Sequence, residues 1–277
     1  MPMNINTNVA SMTAQKNLNA NQKLLVQSFN RLSSGLRVNT AADDAAGLAV
    51  SESMKSQIRS YTVADRNAAD AISMAQTAEG ALGEVHMILG RMRELSMQAA
   101  NGTLSSADRA QVQTEFGQLK TEITRIQGSA KFNGVAVVAT AASAVTFQVG
   151  LNNTTSDQIT IAFGGVSLTT LLSATTIVNT ATGALTSLAR IDAAISSVST
   201  SRANFGAAMN RLEIASSNIQ TMRLNLSAAN SRIRDVDVAD ETAQLSRNQV
   251  LTQAGTSVLG QANQLPQSAF SLIGGGR

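Results

Sequence analysis

Ile191, Val198, Phe205, Leu212, Ile219, Leu226 and Ile233 recur at every seventh residue, and this spacing constrains the fold more than any other feature of the chain. A strand carries its apolar residues at alternate positions, whereas a seven-residue repeat lines one seam of a long α-helix. No glycine interrupts residues 207–254, which as one helix would reach about 72 Å. A second stripe, Tyr61, Ala64, Ala68, Ala71, Ala75, Ala78, Leu82, Val85, Leu89, Met92, Ser96 and Ala99, advances in steps of three and four, and its alanines predict close helix approach. Weaker stripes lie near the ends: Leu18, Gln22, Leu25, Phe29, Leu32 and Leu36, and then Leu251, Ala254, Val258, Ala262 and Leu265. Such seams need partners, and the simplest partner for each is another seam of the same chain in an antiparallel bundle.

Between the helical stretches of residues 1–130 and 183–270 the pattern changes. Val145, Phe147, Val149 and Leu151 alternate with polar or small residues, as do Ile159, Ile161 and Phe163 after the turn-like 152–157 stretch. That period predicts a β-hairpin, flanked by Ala/Thr/Ser-rich loops at 136–144 and 173–184. The fold class expected is therefore mainly α: a long antiparallel coiled-coil rod with a small β-hairpin insert and paired N- and C-terminal helices. Residues 1–17 carry so many polar side chains that an isolated helix there would not hold in water. They are expected to be disordered in a monomer and to fold only against neighbouring copies.

Composition narrows the function. Seven Phe, one Tyr and no Trp leave few large anchors for a compact core. Lys plus Arg number 21 against 18 Asp plus Glu, and neither sign runs in blocks, so no footprint for nucleic acid or anionic lipid exists. Cysteine is absent, which excludes disulfides and thiolate metal sites. The start lacks a basic segment followed by an apolar one, and no apolar run is long enough to span a membrane. His86, the single histidine, has no second ligand at helical spacing. Asp43, Asp44 and Gly47 read as a helix start, with Gly47 allowing helices to approach closely. No phosphate loop, nucleophile elbow or paired acid and base occurs, so neither a cofactor nor catalysis is expected.

Several phrases together point to a family. Residues 30–39 read Asn-Arg-Leu-Ser-Ser-Gly-Leu-Arg-Val-Asn, and residues 43–49 read Asp-Asp-Ala-Ala-Gly-Leu-Ala. Arg93-Glu94-Leu95, Lys131-Phe132-Asn133-Gly134, Phe147-Gln148-Val149-Gly150 and the 231–241 run from Ser231 to Glu241 join them. This set resembles the signatures of bacterial flagellins over nearly the whole chain. The resemblance implies a structural subunit that polymerises into the flagellar filament for motility, exported unfolded without a cleaved signal peptide and located outside the cell. It implies an inner coiled-coil domain from residues 1–45 and 235–277, and an outer rod from 46–135, 136–182 and 183–234. Relatives with large surface domains carry them where this chain has only the 136–182 segment, so a short form is expected. A hook–filament junction protein and a cytoplasmic helical scaffold are the alternatives.

The polymerisation interface expected on this basis comprises Leu18, Leu25, Phe29, Leu32, Leu36, Leu251, Val258 and Leu265. Arg91, Leu95 and Glu115 stand where similar flagellins present a patch to vertebrate Toll-like receptor 5. Other partners implied are an export chaperone on the C-terminal helix and the hook-associated and cap proteins. Ser and Thr residues between 139 and 182 are plausible O-glycosylation acceptors by the same resemblance. The Gly274-Gly275-Gly276-Arg277 ending departs from the family's usual apolar one.

Overall fold

The structure is a computed structural model that describes residues 7–166 and 168–274, with side chains to residue 264. Leu265, as an interface residue, and the 275–277 ending therefore lie outside the described side chains or residues. The chain is mainly α: helices α1 (Val9–Ser34), α2 (Ala45–Ala100), α3 (Ser106–Ser129), α4 (Thr169–Leu172), α5 (Ala181–Arg234) and α6 (Val238–Gly274). Strands β1 (Lys131–Phe132) and β2 (Val135–Ala136) pair antiparallel, as do β3 (Ser143–Gln148) and β4 (Gln158–Phe163). The chain divides into two compact units, residues 57–224 and residues 1–56 with 225–277.

In the 57–224 unit, α2 and α5 run antiparallel. Asp65 accepts from the Ser216 hydroxyl at 2.6 Å, Arg202 pairs with Glu79 at 2.6 Å, and Arg93 pairs with Asp192 at 2.7 Å, which fixes the register along both helices. The predicted α2 stripe is buried from Ala64 to Ala99, and on α5 Ile191, Val198, Phe205, Leu212 and Ile219 are buried opposite it. Its small alanines leave room for these large α5 side chains. The Glu79–Arg202 pair, for instance, sets Ala75 and Ala78 level with Phe205.

The predicted hairpin forms with Val145 opposite Ile161 and Phe147 opposite Ile159. Ile159, Ile161 and Phe163 point inward, and Phe163 stacks on Phe205 of α5 with ring centroids 5.4 Å apart. Two elements escaped the sequence reading. The β1–β2 hairpin turns on Asn133 (φ 47°) and Gly134 (φ 81°), the left-handed pair that a tight two-residue turn requires. Helix α4 occupies part of the connection from β4 to α5, and the start of α5 takes in residues 181–184, expected as loop.

Both long helical stretches are broken. Between α2 and α3 the Arg109 guanidinium donates to the carbonyls of Ala99 and Asn101, each at 2.9 Å, while Ser105 and Asp108 form a reciprocal capping box. The unbroken helix expected over residues 207–254 ends instead at Arg234 and restarts at Val238. Asp237 causes the restart, because its carboxylate accepts from the backbone N–H of Ala239 and Asp240. An Asp at this position competes with helix continuation by offering the next turn a cap.

Candidate assembly surface

In the other unit the two chain breaks hold each other. Gly35 ends α1 in the left-handed region (φ 71°), and Leu36 bridges Asp235. The Arg37 N–H donates to the Arg234 carbonyl at 2.6 Å, and the Val236 N–H donates to the Gly35 carbonyl at 3.1 Å. The Arg37 side chain also caps the end of α5 by donating to the carbonyls of Arg232 and Ile233. Ahead of α2, the Asp43 carboxylate accepts from the backbones of Asn39 and Thr40 and from the Thr40 hydroxyl. Those bonds hold Asp43 below the usual carboxylate value. Asp44 accepts from the Gly47 N–H and so caps α2. A Cβ on Gly47 would sit 2.3 Å from the Asp44 carboxylate, so Gly47 makes room for this cap and not for a second helix.

Helix α1 pairs antiparallel with α6. Asn8 donates to the Ala262 carbonyl at 2.8 Å, the Ser11 hydroxyl bonds Asn263 at 2.7 Å, and Arg31 meets Glu241 at 3.6 Å. This pairing is why a helix starts as early as Val9 in a segment too polar to be helical alone.

The seam between the two helices is not the one drawn from apolarity. On α1 the inward residues are Ser11, Ala14, Leu18, Asn21, Leu25, Ser28 and Leu32; on α6 they are Glu241, Leu245, Asn248, Thr252, Gly255, Leu259 and Ala262. Each set advances in steps of three and four. Small and polar side chains fill many of these places, so the apolar stripe through Leu251, Ala254 and Val258 was misassigned by one residue. The helices come close at Gly255, where an added Cβ would lie 3.2 Å from the Leu18 side chain.

The proposed interface residues thus divide. Leu18, Leu25, Leu32 and Leu36 are half-buried within the chain, the first three along the α1–α6 seam. Phe29, Leu251 and Val258 stand outside it and are 64%, 43% and 53% exposed. Leu251 and Val258 are seven residues apart and share one edge of α6. Sequence reading missed Val9, Met12, Val26 and Val250, which are also exposed large apolar residues of these helices. The signal was available, since they are among the apolar residues, with Leu24 and Val238, left over once the seam is drawn.

Arg91, Leu95 and Glu115 come together where α2 faces α3. The Arg91 guanidinium donates to Glu115 at 2.9 Å and to Glu94 at 3.0 Å, and these carboxylates raise its already high pKa. Leu95 is 2% exposed and floors an open cleft of about 600 Å³ that also has Gln98, Asp108 and Gln111 on its walls. Elsewhere, His86 is half-buried, and among the described residues no three His, Asp or Glu side chains converge as metal ligands do. Among them, too, no helix is long and apolar enough to cross a membrane.

Two family models match the chain, the bacterial flagellin N-terminal helical region over residues 5–143 and the bacterial flagellin C-terminal helical region over residues 188–273. A flagellin of Halalkalibacterium halodurans is 42% identical over 98% of this chain and 100% of its own length. The flagellar filament 33 kDa core protein of Treponema phagedenis is 40% identical over the same shares. Among solved structures, the Bacillus cereus flagellin crystal structure aligns with a TM-score of 0.50 at 35% identity, covering 60% of this chain and 94% of that one. The chain therefore belongs to the bacterial flagellin family, in a short form, and its function is to polymerise as the structural subunit of the flagellar filament that drives motility.

Proposed function

We propose that polymerisation is driven by the apolar residues that α1 and α6 leave outside their own seam, Phe29, Leu251 and Val258, joined by Val9, Met12, Val26 and Val250. The observation that carries this is their exposure on a helix pair whose inward face is already occupied by five leucines interleaved with small and polar residues. Burying one such side chain fully against a neighbour contributes about 1.5–3 kcal/mol, and several per subunit offset the cost of ordering the pair. In this reading Leu18, Leu25, Leu32 and Leu36 act indirectly, by holding the helices in the shape that presents the outer residues. Residues 1–45 with 235–277 serve as the inner domain of the filament, and residues 46–135, 136–182 and 183–234 as its outer rod.

The test is electron microscopy of the purified chain after incubation in ammonium sulfate, a salt that strengthens apolar burial. Phe29→Ser with Val258→Ser is expected to give no filaments while retaining the helical circular dichroism of the parent. Micrometre-long filaments from that variant would overturn the assignment.

The same reading carries location and partners. A cysteine-free chain built of long helices suits export in an unfolded state and refolding outside the cell, where the filament lies. An export chaperone would bind the C-terminal helix, and the hook-associated and cap proteins would meet the terminal pair at the filament's ends. Arg91 and Glu115, with Leu95 beneath them, form the patch proposed for Toll-like receptor 5. Because Leu95 is buried, its truncation would act through packing as well as contact, so Arg91→Ala with Glu115→Ala is the cleaner probe. That pair should weaken signalling by monomer in a receptor reporter assay, and full signalling would remove these residues from the patch.

A further inference from the structure

Within the 57–224 unit, Lys120 of α3 and Arg190 of α5 converge on the loop between α4 and α5. The Lys120 ammonium donates to the Ser173 carbonyl oxygen at 2.5 Å, and the Arg190 guanidinium donates to the hydroxyls of Thr175 and Thr176, both at 2.8 Å. Thr176 is 1% exposed and donates onward to the Thr170 carbonyl, so Arg190 is held against a fixed scaffold. The Ser173 and Thr175 hydroxyls lie 3.0 Å apart beside it. Every one of these acceptors is neutral. Among the described residues neither cation has a carboxylate within ion-pair distance, whereas Arg93 and Arg202 on the neighbouring helix faces are each paired with one.

A lysine ammonium carries three donors and a guanidinium five, and the bonds above leave donors free on both. Two cations fixed near each other without a counter-charge repel, and removing water from around them strengthens the repulsion. Burial, followed by the Arg190 charge, holds the Lys120 ammonium below the ordinary lysine value, as uncompensated positive charge must.

We propose that Lys120, Arg190 and the hydroxyls of Ser173 and Thr175 form a binding site for a small oxyanion of the phosphate or sulfate class. The guanidinium presents parallel donors to two oxygens, the ammonium adds a point charge at a third, and the loop hydroxyls reach the fourth. A tetrahedral anion uses the whole set, which a two-oxygen carboxylate does not. Its binding ties α3, α5 and the 173–176 loop together.

The experiment is NMR of the full-length monomer carrying ¹³C at the lysine ε position, titrated with inorganic phosphate at ionic strength held constant with chloride. Lys120→Gln identifies the signal. The expected result is a saturable shift at Lys120 while Lys16, Lys23, Lys55 and Lys131 drift together without saturating. Arg190→Gln should raise the midpoint by about tenfold, the loss expected when one charge-assisted bond disappears. A Lys120 signal that moves in step with the other lysines, or a midpoint unchanged in Arg190→Gln, overturns the proposal. If Arg190→Gln loses helical signal, Arg190→Lys carries the same test, because it keeps the charge and removes the fork; a weakened midpoint supports the site and an unchanged one overturns it.

Discussion

Gly255 and Leu18 show why single residues decide the geometry of the terminal helices. An added Cβ at Gly255 already stands 3.2 Å from Leu18, so Gly255→Leu has nowhere to place its branch without parting α1 from α6. We expect a loss of about 1–3 kcal/mol, the usual cost of overpacking, read as faster amide exchange in α1 and α6 with no change in the 57–224 unit. Asp43 shows the same economy in the polar turn before α2. Its folded pKa lies below the ordinary 3.8, so its contribution is present above that value and is lost as the pH falls through the lower folded value. Exchange of the Asn39 and Thr40 amides should accelerate over that acid window, and Asp43→Asn should abolish the pH dependence. Residue identities made the caps legible in advance, because Asp and Ser ahead of a helix have few other uses. The role of Gly47 is not legible in sequence, because only the folded geometry sets the Asp44 carboxylate beside its missing Cβ.

At the scale of elements, the seven-residue repeat of α5 was the strongest signal and also the most faithful one. Ile191 through Ile219 are buried because large side chains at every seventh position leave one solution for a long helix facing another. Alternation at residues 145–163 located the β3–β4 hairpin for the same reason, as the period of two has no helical reading. Phe205 joins these two elements through its stack on Phe163. Phe205→Ala should therefore cost about 3–5 kcal/mol and release the hairpin, seen as a lower unfolding midpoint and loss of protection in β4. The terminal seam was less legible for a physical reason. Apolarity marks the face a helix buries most deeply, but α1 and α6 interleave small and polar residues with the leucines of their seam and keep further apolar residues outward. A reading that equates apolar with inward draws the stripe beside its true place whenever the helix has a further partner to meet.

For the whole molecule, the buried hydrophobic cluster runs from Ala64 to Ile219 and includes no residue of the terminal unit. On the assembly surface proposed above, stability and assembly fall to separate stretches of one chain. The 57–224 unit holds the aromatic contacts, the hairpin and the long seams, and needs no neighbour to bury them. The terminal unit mixes leucines with small and polar residues in its seam and leaves further apolar side chains exposed. Deleting residues 1–40 removes α1 and leaves α6 with an uncovered seam, while touching none of the cluster. Circular dichroism and hydrogen exchange should then show α6 losing helix and the 57–224 unit melting within a few degrees of the full chain, about the shift that 1 kcal/mol produces in a domain of this size. Filaments should be absent even in ammonium sulfate. A deletion that lowered the melting point of the 57–224 unit would mean that the terminal helices contribute to its core, and the division of labour drawn from the buried cluster would be wrong.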